Sequence, residues 1–277
     1  MVELIKEKLK TIIGLRGTLI VNHLLRRNFS PMSLNSKISP NESYSDFFFY
    51  SPLFYLNTYR AENTLALLLK KPINVRHQFV FYSKNGLEFK RIFFDSSDFI
   101  ISFDFPVFKT LDKYLSFTHE IIPLKSEFKI RNFIGKNKLV SLQHRGYTIF
   151  KKQKNSVGSS VHGNFGVVCP SNLKKSGAKQ SQIKFSYTPS YEFDDFENYD
   201  LLFNNPTNKV LKIEIKFKNR DLYFSDRNLS IKPMGTNHIS LSKYKGQISI
   251  YSKLPICRPL IFKNPEIEAI NFDVLHS

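Results

Sequence analysis

From Val75 the chain takes on a repeat of two: Val75, His77, Phe79 and Phe81 alternate with polar or mixed neighbours. In a strand, successive side chains point to opposite faces, whereas a helix repeats every 3.6 residues or so, so this pattern builds a sheet with one dry face. Lys84-Asn85-Gly86 supplies residues that tolerate positive φ in a tight turn, and Leu87 to Phe94 returns as the second arm of a hairpin. The alternation recurs at Phe99, Ile101, Phe103 and Phe105, ended by Pro106, and at Leu115, Phe117, His119 and Ile121. Shorter strands are predicted at Phe128 to Phe133, Lys138 to Gln143 and Tyr147 to Phe150.

A second series follows. Ile183, Phe185 and Tyr187 alternate, then Tyr199 to Phe203, and from Leu211 to Phe217 the residues Leu211, Ile213, Ile215 and Phe217 face one way while Lys212, Glu214 and Lys216 face the other. One side of that strand is buried and one is wet. Leu229 to Ile231, His238 to Leu241, Gln247 to Tyr251 and Pro259 to Phe262 continue as short strands between turns. The 27 Phe and 13 Tyr supply the bulky side chains that a pleated surface favours.

The start of the chain differs. Val2, Ile5, Leu9, Ile12 and Ile13 share one side of a helical wheel, with Glu3, Lys6, Glu7 and Lys10 opposite. A second short helix is predicted from Thr18 to Arg27, and the Ser-, Asn- and Pro-rich residues 28–45 read as a linker. Asp46 to Leu56 is too aromatic to stay exposed, so it belongs to the first sheet, and Ala61 to Lys71 adds one short helix before Pro72.

At 277 residues the chain exceeds the usual size of one domain. The resulting expectation is a mainly β protein: two tandem β-sandwich, immunoglobulin-like domains over residues 46–150 and 183–277, with a short helical N-terminus and linker over 1–45. A connecting loop over 151–182, rich in Gly, Ser and Lys and lacking Asp or Glu, joins them.

Forty-one Lys and Arg face 23 Asp and Glu, a formal charge of +18 that would draw in an anionic polymer or membrane surface. The same Lys-, Asn-, Phe- and Ile-rich composition also fits AT-rich codon usage, which supplies lysine without an anionic partner. Cys169 and Cys257 lie far apart and draw no disulfide framework, and no apolar run approaches the 18 or so residues of a spanning helix. A cytoplasmic protein is expected, brought to the inner face of an anionic membrane if residues 1–27 lie on it as a basic amphipathic surface.

Two segments set a His beside a Gly: Gln143-His144-Arg145-Gly146-Tyr147-Thr148 and Val161-His162-Gly163-Asn164-Phe165-Gly166. Glycine permits sharp turns or close approach, and His, Arg, Tyr and Asn offer directional donors and acceptors. With His119 and Arg258, the candidate binding set is His119, His144, Arg145, Tyr147, His162, Asn164 and Arg258, lining an interdomain cleft. The bland account of the same residues gives the glycines to turns and the histidines to capping them. Neither segment is a phosphate loop or a Gly-x-Ser-x-Gly elbow. His119, Glu120, His144 and His162 share one half, but no His-x-His or His-x-x-x-His spacing occurs, so no metal and no cofactor is expected. Glu192, Asp194, Asp195, Glu197 and Asp200 read as a solvated acidic turn.

The leading expectation is a non-catalytic binding or assembly protein recognising an anionic polymer such as a surface glycan. The alternative is an enzyme acting on an anionic, carbohydrate-like substrate, with His as acid or base and Arg holding the anion. A nucleic-acid binder ranks third, because the aromatics alternate as core residues do instead of forming an exposed stacking face.

Overall fold

The computed structural model describes residues 43–69, 71–124, 142–144, 146–168, 180, 184–218, 225–254, 258–266 and 271–276. The expected N-terminal helices, the strand expected over 128–133 and most of that over 138–143 lie outside the described residues. Among the described residues 57% are in strands and almost none in helix, so the protein is mainly β.

In the first part of the chain run β1 (Ser43–Tyr50), β2 (Leu56–Glu62), α1 (Thr64–Leu69), β3 (Val75–Tyr82), β4 (Glu88–Ser96), β5 (Ile100–Asp104), β6 (Leu115–Pro123), β7 (Leu142–His144), β8 (Gly146–Lys151), β9 (Ser159–His162) and β10 (Asn164–Val168). There follow β11 (Phe185–Tyr187), β12 (Asn198–Asn204), β13 (Leu211–Lys218), β14 (Arg227–Ile231), β15 (Thr236–Ser242), β16 (Gln247–Ser252), β17 (Leu260–Lys263) and β18 (Asp273–His276). The helix is short. Asn63 starts it, its Oδ1 accepting from the amide of Ala66 at 3.2 Å while its Nδ2 donates to the carbonyl of Ile73 at 3.3 Å.

These strands form four small sheets. The first has the order β10-β1-β6-β3-β4, with β7 also paired to β1; the second β5-β2-β8-β9; the third β11-β16-β13-β14; the fourth β15-β12-β17-β18. The pairings are antiparallel except that of β1 with β7, which is parallel. The β3–β4 hairpin is as the sequence predicts, with Gly86 at φ 77° in its turn.

The alternating apolar residues gather in separate cores, although β3 and β6 are buried on both faces. Phe48 and Tyr50 of β1, Tyr59 and Ala61 of β2, Phe79 and Phe81 of β3, Ile101 of β5, and Leu115 and Phe117 of β6 form one core between the first and second sheets. Leu201 and Phe203 of β12, Leu211, Ile213 and Ile215 of β13, Ile239 of β15, and Ile248 and Ile250 of β16 form another between the third and fourth. A further cluster joins the two halves: Phe49, Phe54, Tyr114, Phe150 and Val161 meet Leu202, Leu260, Phe262 and Val274.

That shared cluster corrects the expected outline. The four sheets do not resolve cleanly into two immunoglobulin-like units, because β12 is buried on both faces: Leu201 and Phe203 enter one core while Leu202 enters the shared one. The stretch 151–182, expected as a loop, contains β9 and β10, which pair with β8 and β1 and extend the second and first sheets. The acidic turn also needs correction at one end. Asp200 is buried, accepting from the hydroxyls of Tyr114 and Ser240, the latter at 2.6 Å, and pairing with Lys113 Nζ at 2.6 Å. Burial first, and then the Asp200 charge, push the Tyr114 phenol far above its ordinary value.

Candidate functional site

The expected binding residues do not form one cleft among the described residues. His119 lies in β6, in phase with Leu115, Phe117 and Ile121, and is fully buried. Its Nδ1 is 3.0 Å from the Tyr59 hydroxyl and its Nε2 is 2.9 Å from His77 Nδ1, so both ring nitrogens are engaged in the core. The two imidazoles stack at 5.1 Å with an angle of 11° between their planes. Burial depresses the His77 pKa to about 4. His119 is therefore a core residue and not part of an accessible binding set.

Tyr147 and His162 are brought together, on the opposite side of the second sheet. They pair directly across β8 and β9, Tyr147 pairs with Arg60 of β2, and Arg60 with Ser102 of β5. Paired residues of an antiparallel ladder share a face, so Ser102, Arg60, Tyr147 and His162 form one exposed row across four strands. Arg60 Nε donates to Ser102 Oγ at 3.2 Å, and His162 Nδ1 lies 3.1 Å from the Gly163 carbonyl. Glu62 and Asp104, on the same face, flank the row.

The glycines of the two His-Gly segments serve close packing. A Cβ on Gly146 would lie 2.4 Å from the Tyr59 hydroxyl oxygen, and one on Gly163 would lie 2.8 Å from the Phe47 carbonyl oxygen. The remaining expected residues stand elsewhere. His144 ends β7 with its backbone beside Ser45, and Asn164 opens β10. Arg145, together with the side chains of His144 and Asn164, lies outside the described residues. Arg258 sits in the later half of the chain, its guanidinium 5.3 Å from the Tyr187 ring centre. Among the described residues no three His, Cys, Asp or Glu side chains gather as a metal site.

Exposed charge also gathers on the outer face of the third sheet. With Leu211, Ile213 and Ile215 turned into the core, β13 presents Lys212, Glu214, Lys216 and Lys218 outward. Register adds Ser230 opposite Lys212, Asn228 and Tyr251 on either side of Glu214, Gln247 opposite Lys218, and Ser186 opposite Tyr251. Lys184, just before β11, is exposed and bonds Glu214, whose other oxygen lies 3.4 Å from Lys216 Nζ. The Lys184 ammonium, chiefly, holds the Glu214 carboxyl below its ordinary pKa. Both lysines also lie over the Tyr251 ring, at 5.0 and 5.5 Å from its centre.

Of these four lysines, Lys184 and Lys216 pair with Glu214, and a second exposed carboxylate, Asp226, accepts from the Phe217 amide at 3.4 Å at the end of the same strand pair. Sequence periodicity shows Lys212 and Lys216 on a wet face, but the contributions of Asn228 and Ser230 arise from pairing with the next strand, and those of Lys184 and Tyr251 from more distant segments. Alternate residues of a strand are spaced by roughly 6.8 Å, so Lys212 to Lys218 makes a line of about 20 Å.

No family model and no curated protein matches the chain. Among solved structures it is similar to that of the M60 catalytic domain with the CBM51-1 and CBM51-2 domains from Clostridium perfringens ZmpB. The likeness covers 77% of this chain and 32% of that one, with 7% identity and a TM-score of 0.19, and carries no argument about fold or ligand. No helix among the described residues is long and apolar enough to cross a membrane.

Proposed function

We propose that the protein is a non-catalytic binding or assembly module that holds an anionic polymer against the outer face of the third sheet. The observation that carries this reading is the line of Lys212, Lys216 and Lys218, with Lys184 beside it and Glu214 already paired. Lysines spread along one face of a sheet favour an extended anion whose charges they meet at several points. The burial of His119 removes one member of the acid–base alternative.

The paired cores support a finer reading of the architecture: two sandwich-like units, the first reaching residue 168, with an immunoglobulin-like layering. In this reading the second unit displays the basic face.

The test is retention on immobilised dextran sulfate across a salt gradient. Substituting Lys212, Lys216 and Lys218 by Ser is expected to lower the eluting salt concentration well below that of a control with Lys71, Lys90 and Lys109 changed to Ser, which removes the same charge elsewhere. Equal elution of the two triple variants would show that net charge alone, and not this face, holds the polymer.

A further inference from the structure

Resting on the polyanion reading above, we infer that the polymer held by the third sheet is an acidic polysaccharide, its hydroxyls and its carboxylates or sulfates being met together on one face. The positions between and beside the lysines carry small neutral hydrogen-bonding groups. Asn228 and Ser230 on β14, Ser186 on β11 and Gln247 on β16 are all exposed. Hydroxyls and amides both donate and accept, which suits a ligand dense in hydroxyl groups. A phosphodiester chain offers mainly acceptors at its backbone.

The aromatic on this face argues in the same direction. Single-stranded nucleic acid gains affinity by stacking bases on exposed rings, and the Tyr251 ring is already engaged by the ammonium groups of Lys184 and Lys216. A base seeking that ring would compete with two cation–π contacts, whereas a sugar polymer leaves them in place and meets the same ammonium groups with its anions. A bilayer is disfavoured for a different reason. Of the large apolar side chains exposed among the described residues, only Val210, just before β13, adjoins the outer face of this sheet, too little to enter the interfacial region as amphipathic surfaces do.

The experiment uses the full chain and three probes at one ionic strength: polygalacturonate, a single-stranded oligothymidylate, and vesicles of mixed phosphatidylserine and phosphatidylcholine. Changing Asn228 and Ser230 to Ala leaves every lysine in place and alters only exposed side chains, so folding is preserved. This variant is expected to bind polygalacturonate about three- to tenfold more weakly, the loss of one or two hydrogen bonds, while its binding to the other probes stays as in the parent. Unchanged polygalacturonate binding in this variant, or tighter binding of the parent to oligothymidylate or vesicles than to polygalacturonate, overturns the assignment of polymer class. Failure of the underlying reading looks different: the Lys212, Lys216 and Lys218 to Ser variant would then bind all three probes as the parent does.

Discussion

His77 shows how a side chain with ordinary solution chemistry becomes a stability element. It is buried beside His119, which connects it to the Tyr59 hydroxyl, and desolvation lowers its pKa from 6.5 to about 4, against a smaller opposing pull from Asp95. The unfolded chain takes up a proton on this residue below 6.5, the folded chain only below about 4. Its contribution to stability is therefore complete above pH 6.5 and is lost as the pH falls toward 4, with an upper bound of about 3 kcal/mol. Urea unfolding midpoints for the parent and for His77→Phe, compared between about pH 7.5 and about pH 4.5, check this. The parent is expected to lose more stability on acidification than the variant, and parallel pH profiles would show that His77 is not the group responsible. The sequence placed His77 and His119 on alternating strands, but their hydrogen bond depends on the pairing of β3 with β6, in which Phe79 stands opposite His119.

At the scale of elements, legibility followed how far a strand's own side chains decide its fate. β3, β5, β6 and β13 announce themselves by apolar residues at every second position, which enter one core, although β3 and β6 are buried on both faces, Val80 and Tyr82 of β3 packing with Phe47 and Met234 on the other side. β9 and β10 do not: they lie in a Lys-, Ser- and Gly-rich stretch and owe their extended form to pairing, β9 with the strand just before it, β8, and β10 with β1, far away in sequence. The same limit applied to the basic face, where Lys212 and Lys216 were visible in one strand and their neighbours only through register. Gly163, between β9 and β10, shows this long-range fit at close quarters, since an added Cβ would meet Asp46 Cβ at 2.6 Å and the Phe47 carbonyl at 2.8 Å. Both contacts belong to β1, a buried strand of the first sheet. Gly163→Ala is expected to destabilise by about 1–3 kcal/mol through displacement of that strand. Gly158→Ala serves as the comparison, because its nearest contact, at the same 2.6 Å, is a side-chain methyl of Ile149 on the short β8–β9 hairpin and not a buried strand of the first sheet. Equal thermal midpoints for the two variants would remove the claim that backbone crowding fixes Gly163.

For the molecule as a whole, the question is whether its halves unfold together, and the shared aromatic cluster is the physical link. Phe262 of the fourth sheet stacks on Phe54 at 5.7 Å and 13°, and its ring centre lies 5.1 Å from that of Phe150 and 5.2 Å from that of Tyr114. Polar ties run alongside: Lys152 Nζ donates to the Asn264 carbonyl at 3.0 Å, Ser159 Oγ to Asp273 Oδ1 at 2.5 Å, and Tyr114 to Asp200. A fully buried Phe cut back to Ala costs about 3–5 kcal/mol when its surroundings relax only in part. Because Phe54 and Phe262 touch across the halves, their Ala substitutions should not be independent, and a double-mutant cycle is expected to return a coupling of about 1 kcal/mol. If the cluster transmits stability from one half to the other, the parent unfolds in a single calorimetric transition with equal calorimetric and van't Hoff enthalpies, and Phe262→Ala separates it into two. Additive single-site effects, together with two transitions already present in the parent, would mean that the halves merely touch, and that loading the basic face of the third sheet could not stabilise the first sheet.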